Sequence, residues 1–353
     1  MKAKELLIVS IFAVLFIGLV FSSGCIKKGQ EEAVVAPAAA IWQGGTQGVA
    51  MSFYSNMPPA QVYEPVQFNI GLLLENKGEY VVESGAARVY IEGINPDIYC
   101  LNTTNMTEDC GLPGVKNCLK NTENLSAIKK ISDIEVIPGG QQLLIFDDDD
   151  LHYTVDIPSG SIESTILARL CYTYHTDAVA AACLKQQIFT QTTGTQACEI
   201  SGDKRVQNSG GPVQVTRVTE IPMGSQRVGF QIEIANQGAG EVFNKSEVNN
   251  CTELMYGDMN IVNISWSISG IPTDKNIECT TCQGPNKNYV TLVNGRNTFM
   301  LTVKTDAAPA GAYIESLDLD FDYGYRQQIT QSPKMIAIPE VGPKYTSATC
   351  PTS

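Results

Sequence analysis

The groups in this 353-residue chain best suited to chemistry are a Cys-Thr-Thr-Cys quartet, a run of four aspartates, an alternating aspartate row and two histidines. Cys279 and Cys282, in "CTTC", have the spacing of a dithiol redox pair or of half a zinc site. A redox pair opens a helix after a strand, whereas this quartet lies among turns ahead of "QGPNKN". Zinc would need two more ligands, and this half of the chain supplies only Cys251 and the distant Cys350. Two structural disulfides among these four cysteines are expected.

In "FDDDDLHY", Asp147, Asp148, Asp149 and Asp150 stand in a row. Calcium takes about six to eight oxygen ligands, and adjacent aspartates alternate in direction, so only some of the four could reach one ion. They are weak calcium candidates; a solvated turn is the preferred reading, and no metal site is assigned. In "LDLDFDY", Asp318, Asp320 and Asp322 fall on one face of a strand, about 7 Å apart. Such a row must be solvated or paired with cations, for which Arg326 and Lys304 are candidates. Charge on an exposed strand also discourages sheet-to-sheet aggregation.

His152 and His175 are the two histidines. His152 is read as pointing outward between buried Leu151 and Tyr153, and His175 as part of a hairpin turn. Neither has an evident Ser or Cys nucleophile with an orienting third group, and there is no Gly-rich phosphate loop. The chain is read as non-enzymatic and without a cofactor.

The elements that would position these groups are strands. In "PVQFNIGLLLENKGEY", Val66, Phe68, Ile70, Leu72 and Leu74 alternate with Gln67, Asn69 and Gly71 in a strand closed by the turn Asn76-Lys77-Gly78. In "QRVGFQIEIANQGAG", Val228, Phe230, Ile232 and Ile234 do the same up to Asn236-Gln237-Gly238. "RVYIEGINP" is echoed by "SWSISGIPT", and "PGGQQLLIF" by "VNGRNTFML". "PSGSIESTILARLCYTYH" is echoed by "PAGAYIESLDLDFDYGYR", with Tyr172 and Tyr174 matching Tyr323 and Tyr325. Four correspondences in one order mark a duplication. Past the N-terminus no segment keeps a helical period over three turns, so each half is predicted to be a two-sheet β-sandwich. The polar, Gly-rich stretch "SGDKRVQNSGGP", Ser201 to Pro212, is the expected boundary.

The "LARLCYTY" strand is expected to turn through "HTDAV" and return as "AAACLKQQ", pairing Tyr174 with Ala180. That register sets Cys171 opposite Cys183 on the outer face and predicts a bond between them.

Alternating strands running into Asn-x-Gly turns, as in "LLLENKGEY" and "IEIANQGAG", resemble the immunoglobulin-like modules, of the cell-adhesion-related type, of archaeal and bacterial surface proteins. The resemblance implies an all-β fold of two tandem immunoglobulin-like sandwiches, residues 48–205 and 212–340, followed by a tail, 341–353. It implies an exposed setting and carries over no catalytic or binding residues.

The N-terminus begins with two lysines and an apolar run, Leu6 to Phe21, then small residues up to Cys25. This is the layout of a secretory signal. "SSGC" resembles the lipobox of bacterial and archaeal lipoproteins, in which the cysteine is lipidated after cleavage; Ser22 departs from the commoner Leu, Val or Ile. Residues 1–25 are read as signal peptide or anchor, with an uncleaved anchor helix as the alternative, and 26–47 as a flexible tether. The ten remaining cysteines, Cys100, Cys110, Cys118, Cys171, Cys183, Cys198, Cys251, Cys279, Cys282 and Cys350, read as a disulfide set of an exported chain. Asn102, Asn105, Asn124, Asn244, Asn250 and Asn263 begin Asn-x-Ser/Thr sequons and are glycosylation candidates.

A net charge of −13 spread along the chain excludes a nucleic-acid partner, which would require a basic footprint. The expectation is a membrane-anchored protein on the outer face of the cell membrane, with a binding, adhesion or envelope-structural role toward other envelope proteins or glycans. The alternatives are a solute-binding lipoprotein of a transport system and an enzyme with an unrecognised site. Fold does not fix function, and the missing helical periodicity counts against the two α/β lobes of a solute-binding protein.

Overall fold

A computed structural model of the chain describes residues 42–64, 66–94, 98–100, 118–146, 151–190, 197–306, 308 and 310–338. Cys25, Cys110, Cys350, Asn102, Asn105 and Asp147 to Asp150 lie outside them, as do the expectations of a cleaved signal and a calcium loop.

The fold is all-β. The first half contributes β1 (Val49–Phe53), β2 (Gln61–Tyr63), β3 (Ile70–Asn76), β4 (Ala87–Glu92), β5 (Tyr99–Cys100) and β6 (Cys118–Asn121). There follow β7 (Lys129–Lys130), β8 (Val136–Ile137), β9 (Gln141–Phe146), β10 (His152–Tyr153), β11 (Ser161–Glu163) and the long β12 (Ile166–Leu184). The middle holds β13 (Gly202–Lys204), β14 (Val206–Asn208), β15 (Val213–Gly224), β16 (Arg227–Asn236) and β17 (Glu241–Phe243). Last come β18 (Ile261–Ile268), β19 (Ile277–Cys279), β20 (Tyr289–Thr291), β21 (Arg296–Lys304), β22 (Tyr313–Gln331) and β23 (Lys334–Ile336).

One eight-stranded sheet has the order β20-β18-β22-β12-β4-β6, with β14 also on β12 and β17 also on β22. Its two ends mirror each other: β6-β4-β12 from the first half meets β22-β18-β20 from the second. The second layer is β1-β3-β9 in the first half and β13-β15-β16-β21-β19 in the second. Ile70, Leu72 and Leu74 of β3, and Val228, Phe230, Ile232 and Ile234 of β16, are buried in one apolar core with the inner faces of β12 and β22. That burial is what period-two alternation requires of a half-buried strand. β3 begins at Ile70; Val66, expected within it, is exposed.

The halves are joined edge to edge, which differs from separate, successive sandwiches. β12 and β22 pair antiparallel along their whole lengths, from Ile166 opposite Gln331 to Leu184 opposite Tyr313. Each strand serves both halves. Ala178 and Ala180 of β12 lie opposite Leu319 and Leu317, small against large. The expected boundary stretch is itself divided: β13 joins β15 of the second half, while β14 joins β12 of the first. The C-terminal strand β23 crosses back to the first half and pairs with β11 and, in parallel, with β2.

The segment "HTDAV" is not a turn, and the Cys171–Cys183 bond predicted from it does not form. Both cysteines lie on β12, a single strand of 19 residues. Its polar residues, which read as a turn, are instead paired across the sheet. Thr176 Oγ1 shares a 2.7 Å hydrogen bond with the buried Tyr323 hydroxyl, and the Asp177 backbone N–H donates to Ser209 Oγ at 2.8 Å. With those groups satisfied, nothing forces the chain to reverse. Cys171 is bonded to Cys251 and Cys183 to Cys198. Cys279 and Cys282 are bonded to each other, so of the two disulfides expected among Cys251, Cys279, Cys282 and Cys350, one pairing falls inside the quartet and Cys251 reaches across to the first half.

The Asn-x-Gly turns are held by tyrosines, in the same way in both halves. The Val49 N–H donates to the Tyr172 hydroxyl at 3.1 Å, and the Val213 N–H to the Tyr323 hydroxyl at 3.3 Å. The Tyr174 hydroxyl donates to Asn76 Oδ1 at 3.3 Å, and the Tyr325 hydroxyl to Asn236 Oδ1 at 3.4 Å. Asn76 Nδ2 donates to the Tyr80 carbonyl, Asn236 Nδ2 to the Gly240 carbonyl. A Cβ on Gly78 or Gly238 would collide with the Tyr174 or Tyr325 hydroxyl, which explains why both turns end in glycine.

Candidate functional site

Among the described residues, a cluster of titratable groups that could share one site lies on the face of the eight-stranded sheet opposite the tyrosines, around His175. The β12–β22 register places His175 opposite Asp322 and Asp177 opposite Asp320. Residues two apart on a strand share a face, so two pairs of groups that are distant from each other in sequence, His175 with Asp177 and Asp320 with Asp322, converge. His175 Nδ1 lies 3.0 Å from Asp322 Oδ1, and Nε2 lies 2.9 Å from Asp177 Oδ1. The Tyr80 ring packs on the imidazole with centroids 5.2 Å apart.

A carboxylate accepts hydrogen bonds and does not donate them, so an imidazole bonded to one at each nitrogen is protonated at both. The bonds to Asp177 and Asp322 push the His175 pKa up to about 10, against the opposing effect of burial. Asp322 is held below the usual carboxylate range by His175 and, in lesser part, by Lys245, whose Nζ lies 3.0 Å from Oδ2. Asp320 is pushed up chiefly by burial, and Ser265 Oγ donates to it at 2.9 Å. Asp318 accepts from Ser316 Oγ at 2.6 Å.

The aspartate row expected on β22 is therefore present, with other partners than those expected. His175, Lys245 and serines answer it, while Arg326 bonds Glu241 at 2.6 Å and the Cys251 carbonyl at 2.8 Å. His152, read as outward-pointing, is buried instead, because both faces of β10 are covered: its neighbours Leu151 and Tyr153 are buried as well. His175 sits within a strand and not at a turn.

His175, Asp177 and Asp320 offer ligand atoms within 4.8 Å of one another, the spacing of a coordination shell. With both ring nitrogens protonated, however, no imidazole lone pair faces that space, and a metal would first have to displace a proton. As a general acid or base the imidazole is poorly matched to neutral pH, since efficient proton transfer wants a pKa near the working pH. What the arrangement does chemically is neutralise carboxylates. One imidazolium and one ammonium hold the sheet's charged face together.

A second built feature adjoins it. The segment Lys245–Asn250, a 3-10 helix with an Asn244 side-chain cap, lies on the same sheet face and is tied down by Cys171–Cys251. Phe243 covers Gly324, where any Cβ would strike its ring. Among the sequons, Asn124 and Asn250 are exposed, whereas Asn244 and Asn263 are half-buried. Sequence reasoning missed the convergence on His175 because it placed a turn there. The signal that could have found it is the alternation itself: past Tyr174 it continues through Thr176, Ala178, Ala180 and Ala182, all buried.

No helix among the described residues is long and apolar enough to cross a membrane, which says nothing of strands. No protein-family model matches the chain, and neither does any curated protein. Among solved structures, a chain from "The Triple Jelly Roll Fold and Turret Assembly in an Archaeal Virus" is similar at 8% identity, over 81% of this chain and 90% of that one, with a TM-score of 0.11. A similarity at that level carries no argument about fold or function.

Proposed function

We propose that this is a membrane-anchored extracytoplasmic protein, built of two immunoglobulin-like sandwiches fused through a shared sheet, with a non-enzymatic binding, adhesion or envelope-structural role. The observation that carries the proposal is the set of three disulfides among the described residues, one of which joins the halves. Such bonds persist in oxidising compartments and are rare in reducing ones. The apolar run ending in "SSGC" supplies the anchor, with Cys25 as the lipid-bearing residue, and Asn124 and Asn250 are the best-exposed sequons for glycans. The mutual neutralisation of the polar groups around His175 favours a structural role over catalysis, and halves that share a sheet are not a pair of hinged lobes closing on a solute.

The test is made on intact cells. A membrane-impermeant protease and biotinylating reagent should reach the chain, and the intact mass should show loss of residues 1–24 with lipid on Cys25. Crosslinking in the native envelope should then capture envelope proteins or glycans. A chain protected from both reagents, with reduced cysteines, would sink the proposal.

A further inference from the structure

The hairpin β7–β8 is an element whose sequence and exposure conflict with a purely structural role. Its two strands pair only with each other, Lys129 opposite Ile137 and Lys130 opposite Val136. It projects four aliphatic side chains away from the core: Ile134 is 97% exposed, Ile131 50%, Ile137 48% and Val136 40%. An isolated two-stranded hairpin is marginal in water, and a cluster of exposed aliphatics on one marks a surface that is covered in use.

The place where the hairpin leaves the fold says what covers it. The Ile128 N–H, just before β7, donates to the Gly78 carbonyl at 2.8 Å. One residue on, the Glu79 carboxylate accepts from the backbone N–H groups of Gln43 at 2.8 Å and Gly44 at 2.9 Å, the first residues of the described chain after Trp42. So the hairpin and the start of the folded chain are held at one spot, around Gly78 and Glu79. Residues 26–41 separate Cys25 from Trp42. Sixteen residues of fully extended chain reach at most about 55 Å, so a bilayer holding Cys25 can be approached by the fold as closely as the hairpin requires. From Ile128 to the tip at Asp133 is five residues, roughly 16 Å at the rise of a strand. That reach exceeds the ~5–10 Å depth at which interfacial side chains sit, so the tip can enter the headgroup boundary while the rest of the fold stays clear of it. Charge agrees: Lys129 and Lys130 balance Asp133 and Glu135, and Lys130 Nζ is 2.9 Å from Asp133 Oδ1. In a chain of net charge −13, this hairpin is a segment that a lipid surface does not repel.

We infer that the β7–β8 hairpin docks on the lipid surface, inserting Ile131, Ile134 and Ile137 at the headgroup boundary beside the anchor and so fixing how the protein stands on its membrane. This rests on the anchored reading above. The test uses the full chain carrying Ile134→Trp, reconstituted in phosphatidylcholine vesicles with and without bromine on the acyl chains, next to the unsubstituted chain as background for Trp42 and Trp266. The added tryptophan should lose about half its emission to bromolipid, as a ring at interfacial depth does. Ile131→Asp combined with Ile137→Asp in the same chain should abolish that loss while the protein still floats with the vesicles. Flotation without extra quenching overturns the hairpin assignment and leaves the anchor standing. Failure to float overturns the anchor, and quenching on added vesicles then decides the hairpin by itself. An Ile134→Trp chain that goes unquenched and self-associates through the hairpin assigns the patch to a second copy, which also overturns the proposal.

Discussion

Thr173 lies directly opposite Gly324 at the centre of the β12–β22 pairing, and the register is symmetric about that pair. On either side Tyr172 faces Tyr325 and Tyr174 faces Tyr323, each tyrosine meeting the repeat-mate of its own neighbour. The four rings pack at centroid distances of 5.6 to 6.4 Å, edge-on or tilted. The two halves thus meet along a strand pairing whose tyrosines are arranged symmetrically about Thr173 and Gly324, with the polar cluster of His175 on one face of the sheet and the tyrosines on the other.

If both Asn-x-Gly turns depend on the close approach of a tyrosine hydroxyl, Gly78→Ala and Gly238→Ala should cost similar amounts, about 1–3 kcal/mol each, as overpacking does. Gly311, with open space around it, serves as the control, and Gly311→Ala should stay within about 0.5 kcal/mol. Denaturant unfolding of the three variants checks this. A large cost in only one half would break the equivalence.

Tyr172→Phe and Tyr323→Phe should each destabilise by about 1–3 kcal/mol, because the buried N–H of Val49 or Val213 is left without its acceptor. Thermal melting reads the change. Hydrogen exchange should show faster exchange at Val49 in the first variant and at Val213 in the second.

Non-reducing peptide mapping should recover Cys171–Cys251, Cys183–Cys198 and Cys279–Cys282. Their sequence separations are 80, 15 and 3. Chain-entropy arguments cap their contributions at about 4.5, 3 and 2 kcal/mol, so Ser replacements should destabilise in that order. Recovery of Cys171 joined to Cys183 would refute the single long strand, on which the two lie 12 residues apart.

The pH dependence has a definite sign. His175 titrates at about 10 in the folded chain and near 6.5 when unfolded, so its stabilisation is complete below pH 6.5 and is lost as pH rises toward 10. His175→Gln should lower the melting temperature most at pH 6 and progressively less up to pH 10, where the two curves meet. A constant difference across that range would mean that packing, and not the imidazolium, carries the effect.

Much of the architecture was legible in the sequence because alternation reports burial locally. The strands around Leu72, Ile232, Leu170 and Phe321 are each half apolar with period two, and the Asn-x-Gly turns recur because a tyrosine hydroxyl leaves room only for glycine. How the copies meet was not legible. A polar stretch such as "HTDAV" looks the same whether water or a partner strand satisfies it, and only β22 supplies Asp322 and Tyr323 to do so. Disulfide partners follow from the same pairing. Cys171 could not find Cys251 until the Lys245–Asn250 segment was laid across the sheet, for proximity in space is a property of the whole fold while alternation belongs to each strand alone.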